Sequence, residues 1–468
     1  MSSSVTHAPL SHPTVSVRRL PEQLAEQMSA ALTSFLLATL FCGWLWAAYR
    51  LMIPRIFDSF GAGLLNISLA DTAVNWALAL APSVLLPRKF KGPTDLLVLA
   101  QYYFIYAPAC ILLSHVSLPH LSAQDVRGLQ LAILSGMLVL LAMRHLPPLR
   151  LRRPRLRPST FVILFGAFSF AMFAYLTLIL GRNFRLTDLK QIYDVRANAW
   201  RQAGQTFAPG ILYALIWADS VVVPLLFAIA AQRRRWLSAV ILIGGNLFLL
   251  GIGGAKTSIV AIVVLPALFI AARPQSTRLA TGLPVMLMAV FVMAFLLGVF
   301  APPIITVGFL AVAVLRVFCV PTILLAQYLN FFSNHPLTHF SHVAIINRVV
   351  PYPYTGDLAT MIGMYFYRVP VGSNAGMWAA DGISSLGLVG IPVVSVIAGL
   401  IFWLAESIAA DLDPRLATTA LGFIALSFTN ISLATTLLTG GLLVVLGWGF
   451  LAPSTGRAHK SFLPAAAS

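Results

Sequence analysis

The chain has 468 residues, of which 59% are hydrophobic and only 10% charged, with a formal net charge of +17. A soluble domain carries roughly 25% charged residues, so composition excludes an ordinary soluble fold; the recurring apolar runs are too long for a transmembrane barrel, whose strands alternate over about ten residues. The positive charge does not call for nucleic acid, because most of the 31 Lys and Arg fall in segments that the positive-inside bias assigns to the cytoplasm.

In chain order, residues 1–28 are polar and rich in Ser and Pro and read as a disordered cytoplasmic tail. No cleavable signal is evident, since the first apolar run is too long for a signal segment. Spans are expected at 29–53, 65–87, 95–115, 127–146, 160–181, 209–231, 236–252, 256–272, 281–300, 384–407, 415–431 and 434–451, most near the ~20 residues that cross a hydrocarbon core. Basic segments follow the second, fourth, sixth and eighth spans: Arg88-Lys89-Phe90-Lys91, the run 149–158, Arg233-Arg234-Arg235, and Arg273 with Arg278. The tail also carries Arg457 and Lys460, so both termini are expected inside. Cys42, Cys110 and Cys319 lie in apolar segments with no metal or disulfide spacing.

The stretch 304–329 is apolar and long enough to span, yet spanning would put the C-terminal tail outside. Arg316 near its centre costs roughly 2.5–3.5 kcal/mol on insertion scales. We therefore expect a re-entrant or bundle-buried helix, giving an all-α polytopic bundle of about twelve spans plus one non-spanning helix. The divisions are the tail 1–28, N-terminal helices 29–159, central helices 160–300, an outer segment 301–383, and C-terminal helices with a cytoplasmic tail at 384–468.

Two outer segments stand out. Segment 182–208 holds Arg182, Arg185, Lys190, Arg196 and Arg201 against Asp188 and Asp194, on a face where Lys and Arg are normally scarce. Segment 301–383 is far above ordinary loop length, and its prolines and aromatics argue for order.

Four stretches taken together resemble the Wzy-type oligosaccharide repeat-unit polymerases of bacterial surface polysaccharide assembly. They are Tyr193–Arg196 with Arg201, the run GIGGAKTS at 251–258, LRVFCVP at 315–321 with NFFSNHP at 330–336, and SNAGMWAADGISSLGLVG at 373–390. The likeness covers roughly 160–450; Ala255 stands where relatives often carry Ser before the Lys. The resemblance implies a fold similar to C-type membrane glycosyltransferases. It also implies a reaction at the outer face of the bacterial cytoplasmic membrane. A growing glycan on a polyprenyl diphosphate moves to the terminal sugar of a new lipid-linked repeat unit, with no nucleotide sugar and no cofactor. Partners would be these lipid-linked oligosaccharides, membrane lipids and a chain-length regulator protein.

Such a transfer needs charge stabilised on the departing diphosphate and a proton removed from the acceptor hydroxyl. The outer segments are poor in carboxylates, so an Arg and Lys clamp replaces a metal. Arg196, Arg201, Lys256 and Arg316 are the candidate diphosphate contacts. The bland alternatives are arginines snorkelling to headgroups and, for Arg316, an ion pair with Asp219. A phosphate-loop reading of Lys256 fails for want of a Gly directly before it and of a preceding strand. Tyr193, Asn374 and Trp378 are candidate glycan contacts; the alternative for Tyr193 is to orient Arg196, and for Asn374 and Trp378 the aromatic belt. Asp381 and His335 are the candidate acid–base residues. His335, His339 and His342 would share a helical face and could bind zinc, but Pro336 disturbs that face and no metal is expected. A glycan ligase would need the same clamp. A lipid-linked glycan flippase is the non-enzyme alternative; it needs a charged cavity crossing the membrane, and intramembrane charges are sparse here.

Overall fold

The computed structural model describes residues 19–57, 63, 65–118, 121–152, 154, 156–185, 210–254, 257–272, 276–369 and 372–453. Among these it is all-helical. Ten helical stretches are long and apolar enough to cross a membrane, which makes this a multi-pass membrane protein. The helices are α1 (Arg19–Met52), α2 (Leu69–Leu80), α3 (Pro93–His115), α4 (Ala123–Met143), α5 (Pro158–Leu180), α6 (Ile211–Gln232), α7 (Trp236–Gly253) and α8 (Thr257–Ala271). Then come α9 (Arg278–Phe300), α10 (Pro303–Phe332), α11 (Leu358–Tyr367), α12 (378–386), α13 (Gly390–Ala409), α14 (Pro414–Ser427), α15 (Leu433–Leu438) and α16 (Leu442–Leu451). Three expected spans are short: α2, α8 and α14 have 12, 15 and 14 residues.

The two ends of the bundle have opposite chemistry. At one end Phe90 N–H donates to Ser276 O, Leu149 N–H to Ser407 Oγ, and Leu156 N–H to Leu451 O. Arg144 Nε lies 2.9 Å from Asp95 Oδ1, both side chains nearly buried. Three of the basic segments therefore converge there. At the other end Tyr49 OH donates to Gly63 O, Asn75 to Ser114, and Arg127 to Asn75. Ser122 caps α4 there in a reciprocal box with Asp125.

Two elements depart from simple crossing. Helix α10 runs 30 residues, about 45 Å. Near its start Thr306 Oγ donates to Leu297 O at the end of α9, and just past its end Thr338 N–H donates to Ser384 O. Both ends are thus tied to the end of the bundle away from the basic segments. Its middle dips among other helices, with Phe318 against Phe41, Phe104 and Phe291. A widened (π) turn over Leu310–Cys319 and Pro321 supply the bend.

The expected span 384–407 begins later, at Gly390, because α12 doubles back on α13. Gly382 meets Gly390, and four residues earlier Trp378 Nε1 donates to Ser395 Oγ. Gly387, at φ 64°, makes the reversal. A side chain at Gly390 would land on the Gly382 carbonyl oxygen, so backbone contact holds this helical hairpin together.

Candidate functional site

The helical hairpin carries Asp381 into the bundle. Asp381 is 2% exposed. Its Oδ2 accepts from Leu433 N–H at 2.6 Å, and its Oδ1 faces His342 Nε2 at 3.3 Å. His342 Nδ1 lies 3.2 Å from Thr338 Oγ1, which is also 3.1 Å from Ser384 O and 3.3 Å from Ser385 Oγ. A carboxylate takes a proton from Nε2, so the neutral imidazole here is the Nε2–H tautomer with Nδ1 accepting from Thr338. The loop that delivers His342 turns through His339 and Phe340, both left-handed at φ 47° and 63°. For a bulky residue such as Phe340 that conformation costs about 1–3 kcal/mol, and the bonds from Thr338 and His342 hold it in place.

His335, the histidine expected beside Asp381, lies apart from it, and His342 is the one that faces the carboxylate. His335 Nδ1 bonds Phe331 O, its ring stacks on Phe331 with centroids 4.0 Å apart, and Tyr365 packs edge-on. It is a packing residue. The three histidines do not converge, and among the described residues no group of three potential ligands could hold a metal ion. Trp378 also departs from expectation. It is buried, with its indole N–H spent on Ser395, so it offers no ring face to a sugar. Asn374 is exposed, nearby along the chain.

Arg316 is exposed and makes no ion pair with a described residue. It lies close enough to Tyr367 for its charge to act on that hydroxyl, which accepts from Gln327 Nε2 at 2.8 Å. The pairing with Asp219 does not form. Asp219 is buried and accepts from Thr257 Oγ1 at 2.7 Å and Ser258 Oγ at 2.8 Å. Tyr193, Arg196, Arg201 and Lys256 lie outside the described residues. The flanking segments do meet: Arg185 N–H donates to Gly251 O at 3.1 Å and Phe184 packs on Gly251. Gly254, left-handed at φ 62°, caps α7. The glycines of 251–254 thus serve helix packing and capping.

One short helix joins these parts. Leu433, at the start of α15, bonds Asp381; at its end Leu438 O accepts from Trp217 Nε1, and Gly440 O accepts from Ser220 Oγ. The contacts of α15 with Asp381 and with the Trp217 and Ser220 side of α6 therefore stand about 10 Å apart.

Four widened turns carry this intramembrane chemistry: 101–106 with Gln101, 218–222 with Asp219, 310–319 with Arg316, and 378–383 with Asp381. Such turns recur at functional sites because they re-aim a side chain without breaking the helix. Comparison with protein-family models, curated proteins and solved structures finds no match to this chain.

Proposed function

We propose that the chain is a membrane glycosyltransferase that polymerises lipid-linked repeat units, moving a growing glycan from a polyprenyl diphosphate to the terminal sugar of a new unit. The observation that carries this reading is the pairing of partly exposed His342 with buried Asp381 at the end of the bundle away from the basic segments. By the positive-inside bias, that end faces the periplasm or exterior of a bacterial inner membrane, and both termini are cytoplasmic. Helix α10 then does not span, and α9 and α13 are consecutive crossings.

The acceptor hydroxyl displaces Thr338 from His342 Nδ1, and the freed Thr338 hydroxyl turns to donate to Ser384 O. His342 takes the acceptor proton as the new glycosidic bond forms, and Asp381 stabilises the resulting imidazolium. Arg316, with Arg196, Arg201 and Lys256, takes up the charge on the departing diphosphate. Arg316 suits this role because no described carboxylate neutralises it.

The test uses cells that make the cognate polysaccharide and carry His342→Gln or Arg316→Ala in place of the wild-type chain. Expected are single repeat units on the final acceptor and no long chains. Normal chain length in both variants would overturn the proposal. An empty final acceptor would point to a ligase, and glycan lipid trapped on the cytoplasmic side to a transporter.

A further inference from the structure

An apolar cleft of about 480 Å³ opens between α5 and α6, with Phe168, Ala171 and Met172 on one wall, Ala214 and Trp217 on the other, and Leu438 at its floor. We propose that this cleft holds the isoprenoid chain of the lipid-linked substrate; the assignment rests on the function proposed above.

The cleft exists because alanines stand where two helices would otherwise meet through larger side chains. Two lining residues carry a polar group, Tyr213 and Trp217; the Trp217 N–H is spent on Leu438 O at 3.0 Å, and the cleft surface is almost wholly apolar. Water needs two to four polar partners to stay in such a space, so hydrocarbon is the fitting occupant. The size lies within the roughly 300–1,000 Å³ typical of small-ligand sites.

Position selects which hydrocarbon. The floor residue Leu438 ends α15, and the first residue of that helix bonds Asp381, so the cleft stops about 10 Å short of the acid–base pair. On the α5 wall, Phe168 to Met172 lie about 15–21 Å along the helix axis from Arg182. Arg182 and Arg185 are both exposed. A ligand with an anionic head and a long apolar tail satisfies both features, with its head among the arginines and its tail between α5 and α6.

The experiment irradiates the purified full chain in detergent with a long-chain polyprenyl phosphate bearing a diazirine, and maps the labelled peptides. Label is expected within 168–172 and 210–217, displaced by unlabelled polyprenyl diphosphate and not by phosphatidylglycerol. Ala171→Leu and Ala214→Leu, on opposite walls, are each expected to cut labelling about tenfold, the contact of two methylenes, with thermal stability unchanged. Label elsewhere, equal displacement by phosphatidylglycerol, or full labelling in both variants would overturn the assignment. Failure of the polymerase reading shows separately, as normal polymer in both His342→Gln and Arg316→Ala cells.

Discussion

Asp381 allows a substitution that separates catalysis from folding. Asp381→Ala strips the acceptor from two groups, Leu433 N–H at 2.6 Å and His342 Nε2 at 3.3 Å. A buried donor left without a partner costs about 1–3 kcal/mol. Leu433 should carry most of that range, while partly exposed His342 can recruit water, so the loss is expected to be about 3 kcal/mol. Asp381→Asn differs. Its carbonyl keeps Leu433 satisfied and its amide donates toward His342 Nε2. The imidazole answers by moving its proton to Nδ1, donating to Thr338, whose hydroxyl turns to Ser384 O, 3.1 Å away. Every group stays bonded, and the stability change is expected to be under about 1 kcal/mol. The nitrogen offered to the acceptor now bears a proton, so glycan transfer should fall by about 10²–10⁴-fold. Thermal unfolding in detergent reads the first quantity and in vitro polymerisation of lipid-linked repeat units the second. Wild-type turnover in Asp381→Asn would refute the tautomer argument. Destabilisation of Asp381→Asn equal to that of Asp381→Ala would show that the carboxylate acts as a structural ion.

Other perturbations reach the scaffold. Gly390→Ala places a methyl on the Gly382 carbonyl and should cost about 3 kcal/mol or prevent folding; folded yield in detergent reads this, and a wild-type yield would argue against the helical hairpin. Arg144→Ala leaves Asp95 buried and unpaired, with an expected loss of about 3–5 kcal/mol; recovery in Asp95→Asn with Arg144→Gln would support the pair, and equal loss in the double variant would not. Tyr352 lies outside the spanning helices, and burial, with Asp357 and Tyr354 adding, pushes it up to about 12. The neutral phenol is favoured in the fold, so its contribution is full below the ordinary value of 10.0 and is lost as pH rises from there through about 12. Ultraviolet titration compared with a Tyr352→Phe variant should show this tyrosine ionising above the ordinary value, with a smaller displacement in Asp357→Asn; a midpoint near 10.0 in wild type would contradict the burial.

Hydropathy and loop charge made the bundle and its basic end legible, because length and Lys/Arg bias are local quantities. The helical hairpin was not legible. It depends on Gly382 touching Gly390, and a glycine gives the same letter whether it faces lipid or another backbone. Arg316 and Asp381 could be singled out because a charge in an apolar run announces itself. His342 could not be ranked above His335, since three histidines at 335, 339 and 342 look alike until a left-handed turn decides which one reaches Asp381. Trp378 misled for a related reason: a Trp ahead of an apolar helix reads as an interfacial belt, while its indole is buried against Ser395.

The four widened turns have a consequence for how this chain tolerates change. Each contains one residue more than a regular helix needs. Removing that residue would mend the spiral, leave every backbone bond made and keep the flanking segments nearly in phase, yet it would draw in the bulge itself and swing Asp219, Arg316 or Asp381 toward a different neighbour. At these places a one-residue deletion should do more harm to activity than to folding, whereas along a regular membrane helix it would do the reverse.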